Sequence, residues 1–259
     1  MNSISDINSN INSLIKKINL ASTKGADFIL LPENATYIGS NKKLIIENSF
    51  EEKKHPGVLA ITQIAVLLKK WVLVGSVYIK EKRKIFNRSI LIGPDGKIKK
   101  RYDKIHLFKA NLPDGKRYNE NDYFTAGKKI SLFDLPWGSL GMTICYDLRF
   151  PNLYRKLAQS GALFISVPSA FTKYTGNLHW HTLLKARAIE TGCYIFAPAQ
   201  YGKHYKNHTT FGHSLIVDPW GKVISDSKKS NKLFIVEIDS EIVEEARQSI
   251  PTLKNSKIA

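Results

Sequence analysis

The chain has 259 residues, of which 43% are hydrophobic and 24% are charged. This composition is typical of a folded globular protein with a large buried core, so disordered and collagen-like chains are excluded. The 39 Lys and Arg residues outnumber the 22 Asp and Glu residues and give a formal net charge of +17. Because the basic residues are scattered, without a basic helix or interleaved aromatic residues, we expect a solvated surface rather than a nucleic-acid interface.

Three features of the sequence bear on its location. No apolar run approaches the roughly 20 residues that a membrane-spanning helix requires. The first ten residues lack the basic start and apolar stretch of a secretory signal. Cys145 and Cys193 are the two cysteines, which allows at most one disulfide and excludes a four-cysteine zinc site. We therefore predict a cytoplasmic protein that does not bind membranes.

The predicted elements alternate between helix and strand along the chain. Isoleucine and leucine recur at helical spacing over residues 4–18, and Gly25 follows as a stop signal. Residues 26–31 (ADFILL) are a short apolar run, typical of a buried strand with Glu33 just beyond its C-terminal end. Similar patterns predict helices at residues 58–70, 151–160 and 179–190, and strands at residues 71–79, 86–92, 130–135, 140–145, 162–167, 213–217 and 233–238.

The connections between these elements are short. Two turns of the form Pro-x-Gly-Lys, at residues 94–97 and 219–222, join successive strands and predict antiparallel hairpins. Neither a linker nor a low-complexity stretch interrupts the pattern. We therefore predict a single domain over residues 1–259, of the α+β class, with mixed sheets and with helices on the outside.

Cys145 occupies a turn between a predicted strand and a predicted helix. It follows GMTI and precedes YDLRFP, in which Pro151 permits a helix start. A nucleophile at such a turn is exposed, and neighbouring backbone N–H groups can face a developing oxyanion. A lone cysteine is more often a small buried hydrophobic residue, so the pattern becomes informative only with partners.

Two charged residues in apolar surroundings are candidate partners. Glu33 either pairs structurally at the end of its strand or serves as a base whose pKa is raised by desolvation. Lys104, in RYDKIHLF, either extends its amine to the surface or is a desolvated ammonium with a partner. A thiol, a carboxylate and an ammonium together are what acyl transfer from an amide or a nitrile requires.

Three separated motifs resemble those of a known family. LLPEN with Glu33, YDKIHLF with Lys104 and ICYDLRFP with Cys145 are similar to the three motifs of the nitrilase, or carbon-nitrogen hydrolase, superfamily. Further motifs similar to its Nit branch lie at residues 117–122, 175–200 and 211–221, and the resemblance extends from residue 5 to residue 253.

The resemblance implies a fold and a set of roles. The fold is a four-layer αββα sandwich, dimerised through one helical layer. Glu33 is implied as the general base, Cys145 as the nucleophile and Lys104 as the cation beside the oxyanion. Glu120 is implied as a second carboxylate that orients the lysine and the cysteine, and the backbone N–H of Tyr146 as a further oxyanion donor.

The resemblance also implies a reaction. The Nit branch implies hydrolysis of a small amide to a carboxylate and ammonia through a thioester, as in ω-amidases and deaminated glutathione amidases. A nitrile hydrolase, an N-carbamoyl hydrolase and a non-catalytic family member stay open as alternatives. We predict no cofactor, no metal site and no nucleic-acid partner.

For Arg149, His204 and His208 the sequence allows two interpretations. Arg149 either braces the Cys145 turn by pairing with Asp147, which we favour, or binds a substrate carboxylate. His204 and His208 are four residues apart, a spacing that can bind a metal from a helix. Because YGKHYKNH has the composition of a loop, we predict instead that they are surface histidines.

The N-terminal segment departs from the pattern of the resembling family. Its members open with a short apolar strand beside the glutamate-bearing strand, whereas here the helical pattern begins at residue 4. We therefore expect an N-terminally shortened chain whose sheet lacks this first strand, with a vacancy beside residues 26–31. Each unsatisfied buried backbone group costs about 1–3 kcal/mol, so a vacancy of this kind would lower the free energy of unfolding.

Overall fold

The structure is a computed structural model that describes residues 1–39, 41–205 and 208–255. Its helices are α1 (Ile7–Thr23), α2 (Lys42–Glu47), α3 (Pro56–Leu68), α4 (Pro151–Gln159), α5 (Lys173–Thr191), α6 (Glu241–Ser249) and α7 (Thr252–Asn255). Its strands are β1 (Phe28–Leu30), β2 (Trp71–Glu81), β3 (Lys84–Ile92), β4 (Ile98–Asp103), β5 (Lys109–Asn111), β6 (Arg117–Asn119), β7 (Leu132–Leu135), β8 (Gly138–Met142), β9 (Phe164–Ser166), β10 (Tyr194–Ala197), β11 (Tyr201–Tyr205), β12 (His208–Phe211), β13 (Leu215–Val217) and β14 (Val223–Asp226). Turns of 3-10 helix lie at Glu52–Lys54, Glu120–Asp122 and Cys145–Arg149.

Two mixed sheets form the centre of the molecule. The first has the strand order β1-β2-β3-β4, in which β1 and β2 are parallel and the other pairs are antiparallel. The second has the order β14-β13-β10-β9-β8-β7, in which β8, β9 and β10 are parallel. The hairpins β5–β6 and β11–β12 form separate two-stranded sheets. This arrangement confirms the α+β class with mixed sheets.

Alternation of side chains along the strands separates two hydrophobic cores. In β2, Val72 and Val74 pack in a core with residues of α1 and α3, whereas Leu73 packs in a second core with residues of the six-stranded sheet. Ile90 and Leu91 of β3 alternate in the same way. Residues of α4 and α5 belong to the second core and pack against the six-stranded sheet. The order helix, sheet, sheet, helix confirms the four-layer αββα sandwich.

Local signals explain where the helices begin. The Asp6 side chain caps α1 by accepting a hydrogen bond from the backbone N–H three residues on, so the helix begins at Ile7 and not at Ile4. Pro56 and Pro151 occupy the first turns of α3 and α4, where an N–H has no helical partner to lose. No helix within the described ranges combines the length and the apolar character needed to cross a membrane.

The edge of the four-stranded sheet at β1 differs from the prediction. In the described part of the chain, β1 covers Phe28–Leu30 rather than residues 26–31 and has a strand partner, β2, on one side only. Residues 233–238 were predicted as a strand and are not one; together with residues 27–32 they line a cavity of about 930 Å³. The prediction was wrong because an apolar alternating segment needs a neighbouring backbone to pair its N–H and C=O groups.

A hairpin includes residues of the segment YGKHYKNH (201–208), which was predicted as a loop. β11 pairs with β12, with Tyr201 opposite Phe211, and residues 206 and 207 of the predicted loop lie outside the described residues. His204 is buried and makes two 2.7 Å hydrogen bonds, through Nδ1 to the Ser3 carbonyl and through Nε2 to the Thr210 hydroxyl. The prediction of a surface histidine at this position was wrong, because these partners are distant or on the opposite strand.

Candidate active site

Cys145 lies where β8 gives way to a sharp turn. β8 ends at Met142, three residues earlier than predicted, and the 3-10 turn begins at Cys145 itself. The Cys145 backbone has φ of +48°, a left-handed conformation that is rare for non-glycine residues and is found preferentially at functional sites. Its N–H donates to the Pro168 carbonyl at 3.0 Å, and the residue is 8% exposed. Contacts with a distant loop therefore hold the thiol in a buried position.

Asp147 ties this turn to the segment that carries Lys104. Its carboxylate is fully buried and accepts hydrogen bonds from the Ile144 N–H (2.9 Å), the Tyr102 hydroxyl (2.7 Å) and the His106 N–H (3.0 Å). His106 Nδ1 also lies 2.7 Å from the same carboxylate. Because four groups converge on one carboxylate, the cysteine turn and residues 102–106 are held in a fixed relation.

Arg149 does not form the ion pair with Asp147 that we favoured. Both terminal nitrogens of its guanidinium lie 3.3 Å from His179 Nδ1, and its central carbon lies 5.3 Å from the centre of the Phe171 ring. The pairing prediction was wrong because the oxygens of Asp147 are already occupied by uncharged donors and by His106. The alternative role of Arg149, contact with a substrate carboxylate, stays a prediction.

A buried ion cluster brings together three of the predicted residues. Lys104 Nζ lies 2.9 Å from Glu33 Oε1 and 2.9 Å from Glu120 Oε2. The side chains of Lys104 and Glu33 are 1% and 2% exposed, and that of Glu120 is 15% exposed. Two carboxyl groups therefore share one ammonium. Since Glu33 is 71 residues from Lys104 in sequence, only the fold could bring them together.

Backbone and amide donors fix the two carboxylates. Glu33 accepts hydrogen bonds from Asn87 Nδ2 (3.0 Å) and from the Ala170 N–H (2.7 Å), and Glu120 Oε2 accepts one from the Phe108 N–H (2.7 Å). The sequence reasoning missed these donors. Asn87 lies inside an ordinary strand pattern, and a backbone N–H leaves no mark in the sequence, so no available signal could have found them.

Glycine at position 75 permits the close approach that places Glu33. A Cβ at Gly75 would collide with the carbonyl oxygens of Leu31 and Pro32. The absence of a side chain lets the segment after β1 lie against β2, where the Leu31 N–H donates to the Leu73 carbonyl at 2.9 Å. The position of Glu33 therefore depends on a glycine in the neighbouring strand.

The charges of the cluster control the state of the thiol. Burial raises the pKa of Cys145 well above its usual range, the negative charge of Glu33 raises it further, and the positive charge of Lys104 lowers it. At neutral pH the sulfur therefore keeps its proton until a base takes it, and Glu33 is the carboxylate whose charge acts most strongly on the thiol.

Lys104 and Glu120 respond to burial in opposite ways. Burial alone would lower the pKa of Lys104, but the carboxylates of Glu120 and Glu33 raise it overall, so the ammonium stays charged. Burial raises the pKa of Glu120, although Lys104 opposes this effect. The arrangement therefore places a permanent cation beside the thiol.

Tyr146 contributes a backbone donor and an aromatic wall. In the described chain, its N–H donates to no protein acceptor, as expected at the start of a 3-10 turn. The Tyr146 ring lies 5.0 Å from that of Phe108, which lies 5.1 Å from that of Tyr118, centre to centre. The hairpin β5–β6, which the sequence reasoning also missed, therefore borders the cysteine turn.

Two other features lie apart from this cluster. The cavity beside β1 is lined by none of Cys145, Glu33, Lys104 or Glu120, so it is separate from the space above the thiol. Among the described residues, one group of three side chains is suited to hold a metal ion: His181, His213 and Asp226.

Comparisons with known proteins agree with this geometry. A family model described as carbon-nitrogen hydrolase matches residues 1–248. A protein of Synechocystis sp. named deaminated glutathione amidase is 38% identical over 266 residues, which cover 98% of this chain and 95% of that protein.

Solved structures show the same architecture. The Caenorhabditis elegans NitFhit protein matches with a TM-score of 0.91 at 34% identity, covering 99% of this chain and 63% of that chain. Saccharomyces cerevisiae Nit3, described as a member of branch 10 of the nitrilase superfamily, matches with a TM-score of 0.89 at 27% identity, covering 99% of this chain and 93% of that chain.

Proposed function

This chain belongs to the carbon-nitrogen hydrolase family, and from that premise we propose that it hydrolyses a small linear amide through a thioester on Cys145. The observation that carries the proposal is the buried ion pair of Lys104 and Glu33, 2.9 Å apart, whose charges act on the Cys145 thiol. A nucleophile, a base and a cation are thereby within reach of one reacting carbonyl.

The first half of the reaction forms the thioester. Glu33 accepts the proton of the Cys145 thiol as the sulfur attacks the amide carbon. Lys104 and the backbone N–H of Tyr146 stabilise the negative charge that develops on the carbonyl oxygen. When the intermediate collapses, Glu33 returns the proton to the leaving nitrogen, the C–N bond breaks, and ammonia departs.

The second half regenerates the enzyme. Glu33 accepts a proton from water as the water oxygen attacks the thioester carbon, and Lys104 again stabilises the oxyanion. The C–S bond breaks, the carboxylic acid product leaves, and the sulfur recovers its proton from Glu33. Glu120 holds the Lys104 ammonium in position through both steps, so it is a positioning residue.

For the substrate we propose deaminated glutathione or the ω-amide of a 2-oxo dicarboxylate. The Synechocystis relative is named for the first of these, and both are anions. The formal net charge of +17 favours anionic substrates. Exposed Lys109 and Arg117 lie on the hairpin whose Tyr118 packs on Phe108, the ring that contacts Tyr146.

Release of ammonia from a substrate panel tests this function. The panel contains deaminated glutathione, ω-amides, short nitriles and N-carbamoyl amino acids, and the Cys145→Ala protein is the blank. We expect the highest kcat/KM with deaminated glutathione or an ω-amide. A nitrile or an N-carbamoyl compound as the best substrate contradicts the amide assignment, and no ammonia above the blank contradicts the enzymatic function.

Glu33→Gln is expected to change turnover and thiol reactivity in opposite directions. Loss of the base lowers turnover by at least about 100-fold. Loss of the negative charge lowers the pKa of Cys145, because the charge of Glu33 raises it, so more thiolate is present and iodoacetamide alkylates Cys145 faster. Lys104 keeps its ion pair with Glu120, so the fold should persist. Ammonia release and intact-mass kinetics measure the two rates.

The control for this experiment is the Cys145→Ala protein, which reveals any labelling of Cys193. Cys193 is fully buried and donates to the Ala162 carbonyl, so its labelling should be slow. If alkylation falls in parallel with turnover in Glu33→Gln, the assigned charge effect on the thiol is wrong.

We also propose that the protein is a homodimer formed through the α5 layer. Leu178 and Ile189 are both 56% exposed. They are eleven residues apart, which is about three helical turns, so they lie on the same face of α5. Exposed Trp220 lies beside Gly221, which packs against Ile189, and this extends the apolar surface.

Replacing both Leu178 and Ile189 with aspartate is therefore expected to yield a monomer, because charges at the centre of an apolar interface are not solvated. Light scattering after size-exclusion chromatography measures the mass. Leu67→Asp is the matched control, because Leu67 is 74% exposed on α3 in the other helical layer. A monomeric wild type, or a dimer that survives the double substitution, contradicts the proposal.

We propose a cytoplasmic location for the protein. Cys145 and Cys193 are both free thiols, and a nucleophilic thiol persists best in a reducing compartment. Recovery of the protein outside the cytosolic fraction of cells contradicts this assignment.

A further inference from the structure

His181, His213 and Asp226 come from three separate elements and meet at one point. His181 lies on α5, His213 follows β12, and Asp226 ends β14. His213 Nδ1 lies 3.0 Å and 3.1 Å from the two oxygens of Asp226, and His181 Nε2 lies 3.3 Å from Oδ2. The proposed hydrolysis uses none of these residues.

We propose that His181, His213 and Asp226 form a binding site for Zn²⁺. Two imidazole nitrogens and one carboxylate oxygen are a ligand set that zinc takes in proteins, with water in the fourth position. The three ligand atoms all lie within 4.8 Å of one another. The sequence analysis predicted no metal site, because the three residues are spread over 45 positions and match no spacing motif.

The distances agree with tetrahedral coordination. Zinc binds imidazole nitrogen at about 2.0–2.1 Å and carboxylate oxygen at about 2.0–2.2 Å, which at tetrahedral angles separates neighbouring ligand atoms by about 3.3–3.5 Å. The observed separations of 3.0–3.3 Å between nitrogen and oxygen are close to these values. Because the three ligand atoms lie within 4.8 Å of one another, the side chains must rotate until all three separations match these values.

Surrounding contacts hold His213 in place. Its backbone has φ of +56°, a strained conformation for a non-glycine residue. The Trp180 indole N–H donates to the His213 carbonyl at 2.9 Å, and the Phe211 ring stacks on the imidazole at 4.3 Å. When His213 Nδ1 binds the ion, Nε2 carries the ring proton, and among the described residues Nε2 has no hydrogen-bond partner; the backbone contact and the stacked ring therefore orient the imidazole.

The site is open to solvent on one side, where Lys228 competes with a cation. The His181 side chain is 38% exposed, whereas those of His213 and Asp226 are 12% and 9% exposed. Lys228 Nζ lies 3.4 Å from Asp226 Oδ2, but its side chain is 77% exposed, so it can move into water when a metal ion binds. Removal of Lys228 should therefore strengthen zinc binding.

Titration calorimetry with ZnCl₂ tests the proposal. The protein carries Cys145→Ser and is first treated with a chelator, so that the active-site thiol does not bind zinc. We expect one equivalent of zinc to bind. His181→Ala should weaken binding at least about 10- to 100-fold, since loss of even an outer partner of a metal ligand typically costs that much. Lys228→Ala should tighten it.

Two further measurements complete the test. His179→Ala removes a neighbouring histidine of α5 that lies outside the cluster, and it should leave the affinity unchanged. Co²⁺ in place of zinc should give the visible absorption of a tetrahedral complex, which His181→Ala abolishes. Melting curves show whether each variant is folded. Because the His181 side chain is 38% exposed, its replacement should not disrupt the fold.

Three results would each overturn the proposal. These are the absence of a binding heat in the Cys145→Ser protein, zinc affinity that His181→Ala leaves unchanged in a folded variant, and zinc affinity that Lys228→Ala fails to increase. In each case the three side chains would be a hydrogen-bonded cluster and not a metal site.

Discussion

Replacing Cys145 with alanine is expected to abolish ammonia release and to leave the fold intact. Loss of a covalent nucleophile lowers kcat on the order of 10⁶-fold in a well-studied hydrolase, and in this chain no second thiol can substitute, because Cys193 is fully buried. The loss of one buried sulfur atom should cost within about 1.5 kcal/mol of stability, as other small truncations do. Ammonia release and the melting temperature measure both effects.

Cys145→Ser is the informative companion to the alanine variant. It replaces the thiol by a hydroxyl of similar size. It therefore tests whether turnover requires sulfur itself or only a small polar group at this position. We expect turnover to remain near the blank, because a hydroxyl is a far weaker acid than a thiol. Wild-type ammonia release in Cys145→Ala would rule out the covalent mechanism.

Replacing Lys104 with alanine is expected to impair both turnover and stability. Turnover falls by at least about 100-fold, because the oxyanion loses its cation. The free energy of unfolding falls by about 3–5 kcal/mol, the typical cost of removing one partner from a buried ion pair. Glu33 and Glu120 would be left as two buried carboxylates without their shared ammonium.

The stability loss in Lys104→Ala should depend on pH. Burial already raises the pKa of Glu120 when Lys104 is present, and removal of the cation raises it further. A carboxylate whose pKa is higher in the folded than in the unfolded state destabilises the protein as pH rises through the folded value. The difference in melting temperature between wild type and variant should therefore be larger at about pH 8 than at about pH 5.

Lys109→Ala is the matched control for this experiment, because Lys109 is an exposed lysine of β5. It should change neither the melting temperature nor its pH dependence. Turnover is measured at a temperature where Lys104→Ala is folded, so that chemistry and unfolding are separated. A folded variant with wild-type kcat, or a stability difference that is equal at both pH values, contradicts the role assigned to Lys104.

Elements with a strong local signal in the sequence were predicted, whereas elements that depend on distant neighbours were not. The long strands β2 and β3 and the helices α3, α4 and α5 were predicted from local signals, namely apolar runs, helix-forming residues, and Pro or Gly at helix ends. The hairpins β5–β6 and β11–β12 were missed, because short polar strands carry no hydrophobic pattern. Residues 233–238 had the right pattern but form no strand in the structure, because strand formation also requires a neighbour.

The sequence by itself determined the turn at Cys145, the α+β class and the family, since these depend on short motifs and on the order of elements along the chain. The tertiary structure decided the contacts through which the charges meet. Lys104 pairs with both Glu33 and Glu120, and Asp147 binds Tyr102 and His106 rather than Arg149. The physical reason is that a buried charge is stable only with partners that satisfy it, and folding brings those partners from positions that no local pattern specifies.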